Sequence, residues 1–270
     1  MKTKKNSVNQ ITEGVIWKQL LFFFFPIMLG TLFQQLYNTA DAVVVGRFVG
    51  TQALAAVGGS TGQMVNLIVG FFVGLSSGAT VIIARYYGAK NKKELNDTLH
   101  TAAALSIVGS VIITIAGIAL TPFMLKLMNT PKDVIQGSST YLRIYFAGII
   151  FVFIYNVGSA ILRAVGDSTR PLYFLIVCCF INIFLDILLV VGFDMGVAGA
   201  ALATVISQAA SAILVIYALM KSKDMYRLKP KEIHFHKFLL LSIVTIGLPA
   251  GIQSVMYNVS NMIIQTSLND

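Results

Sequence analysis

Long apolar runs, each of twenty residues or more, recur seven times along this chain. A run of that length lets a helix cross a hydrocarbon core of about 30 Å. Inside such a core every backbone N–H and C=O must find its partner within the protein, so each isolated run is expected to be a helix. The runs are Leu20–Val49, Ala53–Ala84, Leu95–Leu120, Tyr141–Leu162, Leu172–Val191, Val197–Met220 and Phe238–Leu268, each bounded by charged or turn residues. The first and last exceed a minimal span, which predicts tilt or protrusion. No small-residue cleavage site precedes Trp17, so the first run reads as a retained helix. Only 11% of the 270 residues are charged, against about a quarter in a water-facing domain. The expected fold class is an all-α membrane protein: a six-helix transmembrane bundle plus a seventh helix.

The net charge of +9 would suit a nucleic-acid partner, but its distribution argues against one. Sixteen of the twenty Lys and Arg residues fall in alternate connections: Lys2, Lys4, Lys5 and Lys18; Arg85, Lys90, Lys92 and Lys93; Arg163 and Arg170; and six between Lys221 and Lys237. Arg47, Lys126, Lys132 and Arg143 fall on the other side. The positive-inside rule then predicts a cytoplasmic N-terminus. An anionic-lipid contact at the last basic loop is a secondary reading. Cys178 and Cys179 are adjacent within one run, which excludes a disulfide framework. The Cys and His spacing does not suit structural zinc.

Charged groups at membrane depth are costly and usually functional. Two acids lie well inside apolar runs. Gln34, Asn38 and Asp41 follow i, i+4, i+7 spacing and share one face of the first helix. Asn182 and Asp186, at i, i+4, share a face of the fifth. The fourth adds Tyr141, Tyr145, Asn156 and Ser159, and the sixth Thr204, Ser207 and Gln208. Converging faces would form a polar cavity holding two carboxylates with no fixed basic partner. Two such groups in one apolar site repel when both are ionised, so the pair favours taking up a proton or Na⁺. The bland alternative, strongest for Gln34, Asn156 and Gln208, is hydrogen bonding between neighbouring helices.

Other signals carry less. Gly74-Leu75-Ser76-Ser77-Gly78 matches the nucleophile-elbow pattern, but it falls in mid-helix rather than at a strand-turn-helix corner. His100, His234 and His236 stand at or beyond helix ends, so an enzyme is not expected. Gly58, Gly59, Gly70, Gly74, Gly78 and the Gly196–Ala203 stretch read as sites of close helix contact. Phe25-Pro26-Ile27-Met28-Leu29 has a counterpart in Leu248-Pro249-Ala250-Gly251-Ile252, with both prolines expected to begin a helix and Asn38 carried onto Asn261. The acid is not repeated, since Asp41 maps to Ile264. A repeat of this kind marks transporters built from related halves. It predicts a first lobe over residues 1–220, an inter-lobe loop over 221–237, and the first helix of a truncated second lobe over 238–270.

Three ordered stretches resemble the multidrug and toxic compound extrusion (MATE) family. They are Gln35-Leu36-Tyr37-Asn38-Thr39-Ala40-Asp41 leading to Gly46-Arg47 and Ala53-Leu54-Ala55-Ala56-Val57; Leu162-Arg163-Ala164-Val165-Gly166-Asp167-Ser168-Thr169-Arg170-Pro171; and Asn182-Ile183-Phe184-Leu185-Asp186 followed by Gly196 to Thr204. The resemblance implies a twelve-helix protein of two lobes in a bacterial inner membrane. Such a protein exports cationic or amphipathic compounds in exchange for H⁺ or Na⁺ by alternating access. By the same resemblance Asp41, Asn182 and Asp186 form the cation-coupling cluster, with Tyr141 and Thr204 beside it and Na⁺ or H⁺ as the coupling ion. Gln34, Asn38, Asn156 and Gln208 become candidates for the substrate cavity. No cofactor, nucleic acid or obligate partner protein is expected, only small-molecule substrates and membrane lipids. The rival readings are a lipid-linked-oligosaccharide flippase of the same superfamily, which would need a basic cavity for a diphosphate, and a non-transporting membrane scaffold, which would not need two intramembrane acids.

Overall fold

A computed structural model describes residues 15–269, and their side chains through Ser260 apart from Ser60. The chain runs through α1 (Ile16–Phe48), α2 (Thr51–Gly58), α3 (Ser60–Gly88), α4 (Lys92–Leu127), α5 (Ile135–Ala164), α6 (Thr169–Asp186), α7 (Gly196–Lys221) and α8 (Lys237–Asn269). A π-helical stretch, Ile187–Gly192, extends α6, and a 3₁₀ turn, Pro230–Glu232, lies between α7 and α8. With α2 and α3 counted as one crossing, seven segments among the described residues are long and apolar enough to span a membrane. Lys2, Lys4 and Lys5, which enter the orientation argument, lie outside the described residues.

The second run, expected as one helix, is broken at Gly59, between α2 and α3. Gly59 adopts ψ −124°, and a Cβ there would sit 2.5 Å from the Ala55 carbonyl oxygen. Glycine therefore permits a local corner instead of the helix contact expected of it, and Gly58 has open space around it. Gly70, Gly74 and Gly78 do serve close contact. A Cβ at Gly74 would lie 2.5 Å from the Gly251 Cα, so α3 and α8 meet backbone to backbone. Ala200, Ala201 and Ala203 are fully buried on α7, as their small size predicts.

Pro26 and Pro249, expected to begin helices, lie inside α1 and α8, about three turns from their starts. The apolar residues before each proline extend the helix, because a hydrocarbon core offers the backbone no other way to pair its polar groups. The lost bond at proline is tolerated within that constraint. The repeat counterparts Asn261 and Ile264 fall outside the described side chains.

Helix α5 threads the interior, burying Tyr141, Tyr145, Phe146, Phe153 and Leu162 among others. Helix α1 buries only a strip: Gly30, Tyr37, Asp41, Val44 and Val45. Its Phe22, Phe24 and Phe25 are exposed, a surface suited to lipid. The three basic connections meet at one end of the bundle, where the α7–α8 linker folds back. The Tyr87 hydroxyl donates to Asp224 Oδ2 (3.4 Å), Asn96 Nδ2 to Glu232 Oε2 (3.3 Å) and Arg170 Nη2 to Tyr226 Oη (2.9 Å). His100, expected at a helix end, lies inside α4 and is fully buried. It accepts the Lys229 N–H at Nε2 (3.1 Å), which leaves Nδ1 to donate to the Asn96 carbonyl (2.7 Å).

Candidate functional site

Helical period decides what α1 presents to the bundle. Asp41, Tyr37 and Gln34 recur at i, i−4, i−7 and form one stripe. Asp41 and Tyr37 are 7% and 6% exposed. Across the α1–α6 contact stand Asn182 and Asp186, both fully buried. The Asp41 and Asp186 carboxyl groups face each other closely enough to interact directly, yet neither is well satisfied. Asp41 Oδ1, both Asp186 oxygens and both ends of the Asn182 amide lack a hydrogen-bond partner among the described residues. Asp186 also closes the regular part of α6. The following residues pair i to i+5, as where the Phe193 N–H donates to the Leu188 carbonyl (3.0 Å). A π segment of this kind often accompanies a functional position.

Tyr141 and Thr204 complete this layer from α5 and α7, their hydroxyl groups within reach of each other. The Thr204 hydroxyl donates to the Ala200 carbonyl (3.1 Å), so toward the rest of the layer it acts as an acceptor. The next layer holds Tyr37, Tyr145 and Gln208, with the Gln208 amide donating to the Tyr37 hydroxyl (3.3 Å). The Tyr141 and Tyr145 rings lie nearly parallel, 6.2 Å apart. A cavity of about 170 Å³ runs beside these layers, lined by Gln34, Asn38, Asp41, Tyr141, Thr204 and Gln208. Asn156 also lines it, although its amide is tied to its own helix through Val152 (2.8 Å). Asn182 and Asp186 sit behind Asp41 and do not line the cavity.

Several lining residues escape a reading of the sequence, among them Tyr37, Arg163, Ser168 and Pro171. Tyr37, one turn before Asp41, carries a spacing signal that could have found it. Arg163, expected in a loop, occupies the last turn of α5 and reaches the cavity, as do Ser168 and Pro171. The donor set around the carboxylates is all oxygen: two acids, one amide and two hydroxyl groups. Such a set suits a proton or a hard cation such as Na⁺.

The MatE family model matches residues 26–188, a stretch that contains Pro26, Asp41, Asn182 and Asp186. The chain belongs to the MATE family. Similarity extends beyond that match. The probable multidrug resistance protein YoeA of Bacillus subtilis (strain 168) is 31% identical over 261 residues, covering 94% of this chain and 56% of YoeA. The fold resembles the outward-facing structure of a MATE multidrug resistance transporter with a TM-score of 0.84 at 28% identity, over 93% of this chain and 56% of that one. Against an inward-facing MATE structure the TM-score is 0.77 at 28% identity, over 84% and 51% of the two chains. The chain thus spans a little over half the length of its MATE relatives. As a MATE protein it is a multi-pass membrane protein, in keeping with its seven membrane-length segments.

Proposed function

We propose that this chain supplies the coupling lobe of a secondary antiporter that exports cationic or amphipathic small molecules in exchange for H⁺ or Na⁺. The observation that carries the reading is the Asp41–Asp186 pair: two buried carboxylates on different helices, without a basic partner among the described residues, beside a polar cavity. In this reading residues 1–220 are the first lobe, 221–237 the inter-lobe loop and 238–270 the start of the second. The N-terminus and the basic end of the bundle face the cytoplasm.

Charge competition supplies the cycle. Ionised carboxylates attract a cationic substrate into the cavity. When protons or Na⁺ bind at Asp41 and Asp186, with the Asn182, Tyr141 and Thr204 oxygens completing the shell, that attraction is removed and the substrate leaves. The neutral lobe then reorients, and ion release on the other side restores the carboxylates. Ion and substrate differ in affinity for the two states, which is the only means by which binding can move such an equilibrium. Pro26, inside α1 and against the cavity, marks where α1 can bend without breaking a further backbone bond. Arg163 is the one cation among the described cavity-lining residues, so the diphosphate-binding alternative has a single basic group to rest on.

The test is efflux of a fluorescent cation from proteoliposomes of the complete transporter under an imposed pH or Na⁺ gradient. Asp41→Asn and Asp186→Asn are each expected to lose gradient-driven efflux by at least tenfold, about 1.4 kcal/mol of coupling or more. Gradient-driven efflux that survives both substitutions would sink the proposal.

A further inference from the structure

The fold-back of the α7–α8 linker over the first turn of α4 leaves a recess of about 580 Å³. Lys92 and Lys93 of α4 and Lys223, Arg227 and Lys229 of the linker surround it, with Asp224 as the one acid in the lining. Most of the charge there is uncompensated. Lys229 pairs with Glu232 at 2.7 Å, and Arg227 Nε donates to the Met220 carbonyl (3.0 Å). Asp224 is occupied locally, accepting from the Tyr87 hydroxyl and the Met225 N–H. Lys92, Lys93 and Lys223 have no ion pair or side-chain hydrogen bond among the described residues. Like charges held around one recess repel each other, and an anion between them relieves that repulsion. In the first turn of α4 the Asn91 side chain caps only the Glu94 N–H (3.3 Å), and the other N–H groups of that turn add potential of the same sign.

The position of the recess along the bundle indicates which anion. Lys221, the residue before its wall, donates from Nζ to the Tyr217 hydroxyl (2.8 Å) and lies 5.1 Å over the Tyr217 ring. Tyr217 and Met220 are exposed at the end of an apolar helix. An exposed Tyr–Lys pair of this kind sits where hydrocarbon gives way to headgroups. The recess therefore opens at headgroup level, beside the last turn of a membrane segment.

We propose that this recess binds the phosphate-bearing headgroup of an anionic phospholipid. The site is separate from the Asp41–Asp186 pair, and a headgroup bound there clamps the linker onto α4. Basic pockets between helices on this side of a membrane have the charge and depth such headgroups require.

The test is thermal unfolding of the purified protein in neutral detergent with added dioleoylphosphatidylglycerol, dioleoylphosphatidylcholine or inorganic phosphate. Phosphatidylglycerol is expected to raise Tm by about 3 °C or more, with little shift from the other two. Lys92→Gln/Lys93→Gln/Lys223→Gln should abolish that shift. The corresponding Arg variant should keep it, and so should Lys126→Gln/Lys132→Gln at the opposite end. Should the triple Gln variant fail to fold, Lys223→Gln alone is expected to lower the shift by about half. An undiminished shift in the Gln variants overturns the site. An equal shift from inorganic phosphate overturns the lipid and points to a soluble anion.

Discussion

At the scale of single residues, the proposed role casts Asp41 and Asp186 as groups that change state. Buried ionised carboxylates without partners cost several kcal/mol each, and no ion pair among the described residues offsets that. Substituting either by Asn removes a charge while keeping shape, so Asp41→Asn and Asp186→Asn should each leave Tm unchanged or raise it, measured by thermal unfolding in detergent. A drop of several degrees would instead mark the acids as structural. If the two act as one site, as proposed, the double variant should impair efflux no more than either single one. The acids were legible in the sequence as charges inside apolar runs. Their pairing was not, since it depends on how α1 rotates against α6. Arg163 was misplaced for a related reason: the positive-inside pattern locates a basic residue near an interface, and only the packing of α5 shows that it turns inward.

At the scale of elements, glycine does two different things in one run. Gly58 has no neighbour within 4 Å of a Cβ position, whereas a Cβ at Gly74 would press on the Gly251 backbone at 2.5 Å. Gly58→Ala is therefore expected to be neutral or stabilising by up to about 1 kcal/mol. Gly74→Ala should destabilise by about 1–3 kcal/mol, because backbone on α8 cannot yield as a side chain can. Comparing the two midpoints in chemical denaturation checks this, and equal effects would mean that α3 and α8 are not in intimate contact. The apolar runs gave the helices themselves away, because length and hydropathy decide that much. The α2–α3 corner was hidden, since two adjacent glycines read equally well as a helix contact or as a break.

At the scale of the molecule, the basic connections act together, with the linker pinned to the ends of α3, α4 and α6. Glu232 is held below the usual glutamate range by its hydrogen bond with Lys229 and then by the Asn96 amide. A carboxyl depressed in the folded state adds stability above its ordinary value, near pH 4.3, and that contribution fades as pH falls through the depressed value. Amide-exchange protection over residues 229–236, corrected for the intrinsic exchange rate, should accordingly weaken below about pH 4, and Glu232→Gln should remove that weakening. The proposed sidedness rests on charge. With Cys178 and Cys179, both free and buried, replaced by Ser, Lys223→Cys should react with an impermeant thiol reagent only in inside-out vesicles, and Lys132→Cys only in right-side-out ones. The reverse pattern would invert the proposed orientation.

Hydrophobicity and charge are properties of the chain before it folds, so the sequence determined the seven spans, their alternation across a membrane and the presence of two acids where acids are costly. Helical period added which residues share a face. The tertiary structure decided what each face meets: Asp41 against Asp186, Gly74 against Gly251, and the linker against His100 and Tyr87. Those contacts depend on the rotation and offset of helices whose exposed surfaces are nearly uniform in hydrophobicity. A one-dimensional pattern cannot distinguish such rotations, because in an apolar solvent they differ in close packing and buried polar pairing and hardly at all in apolar burial.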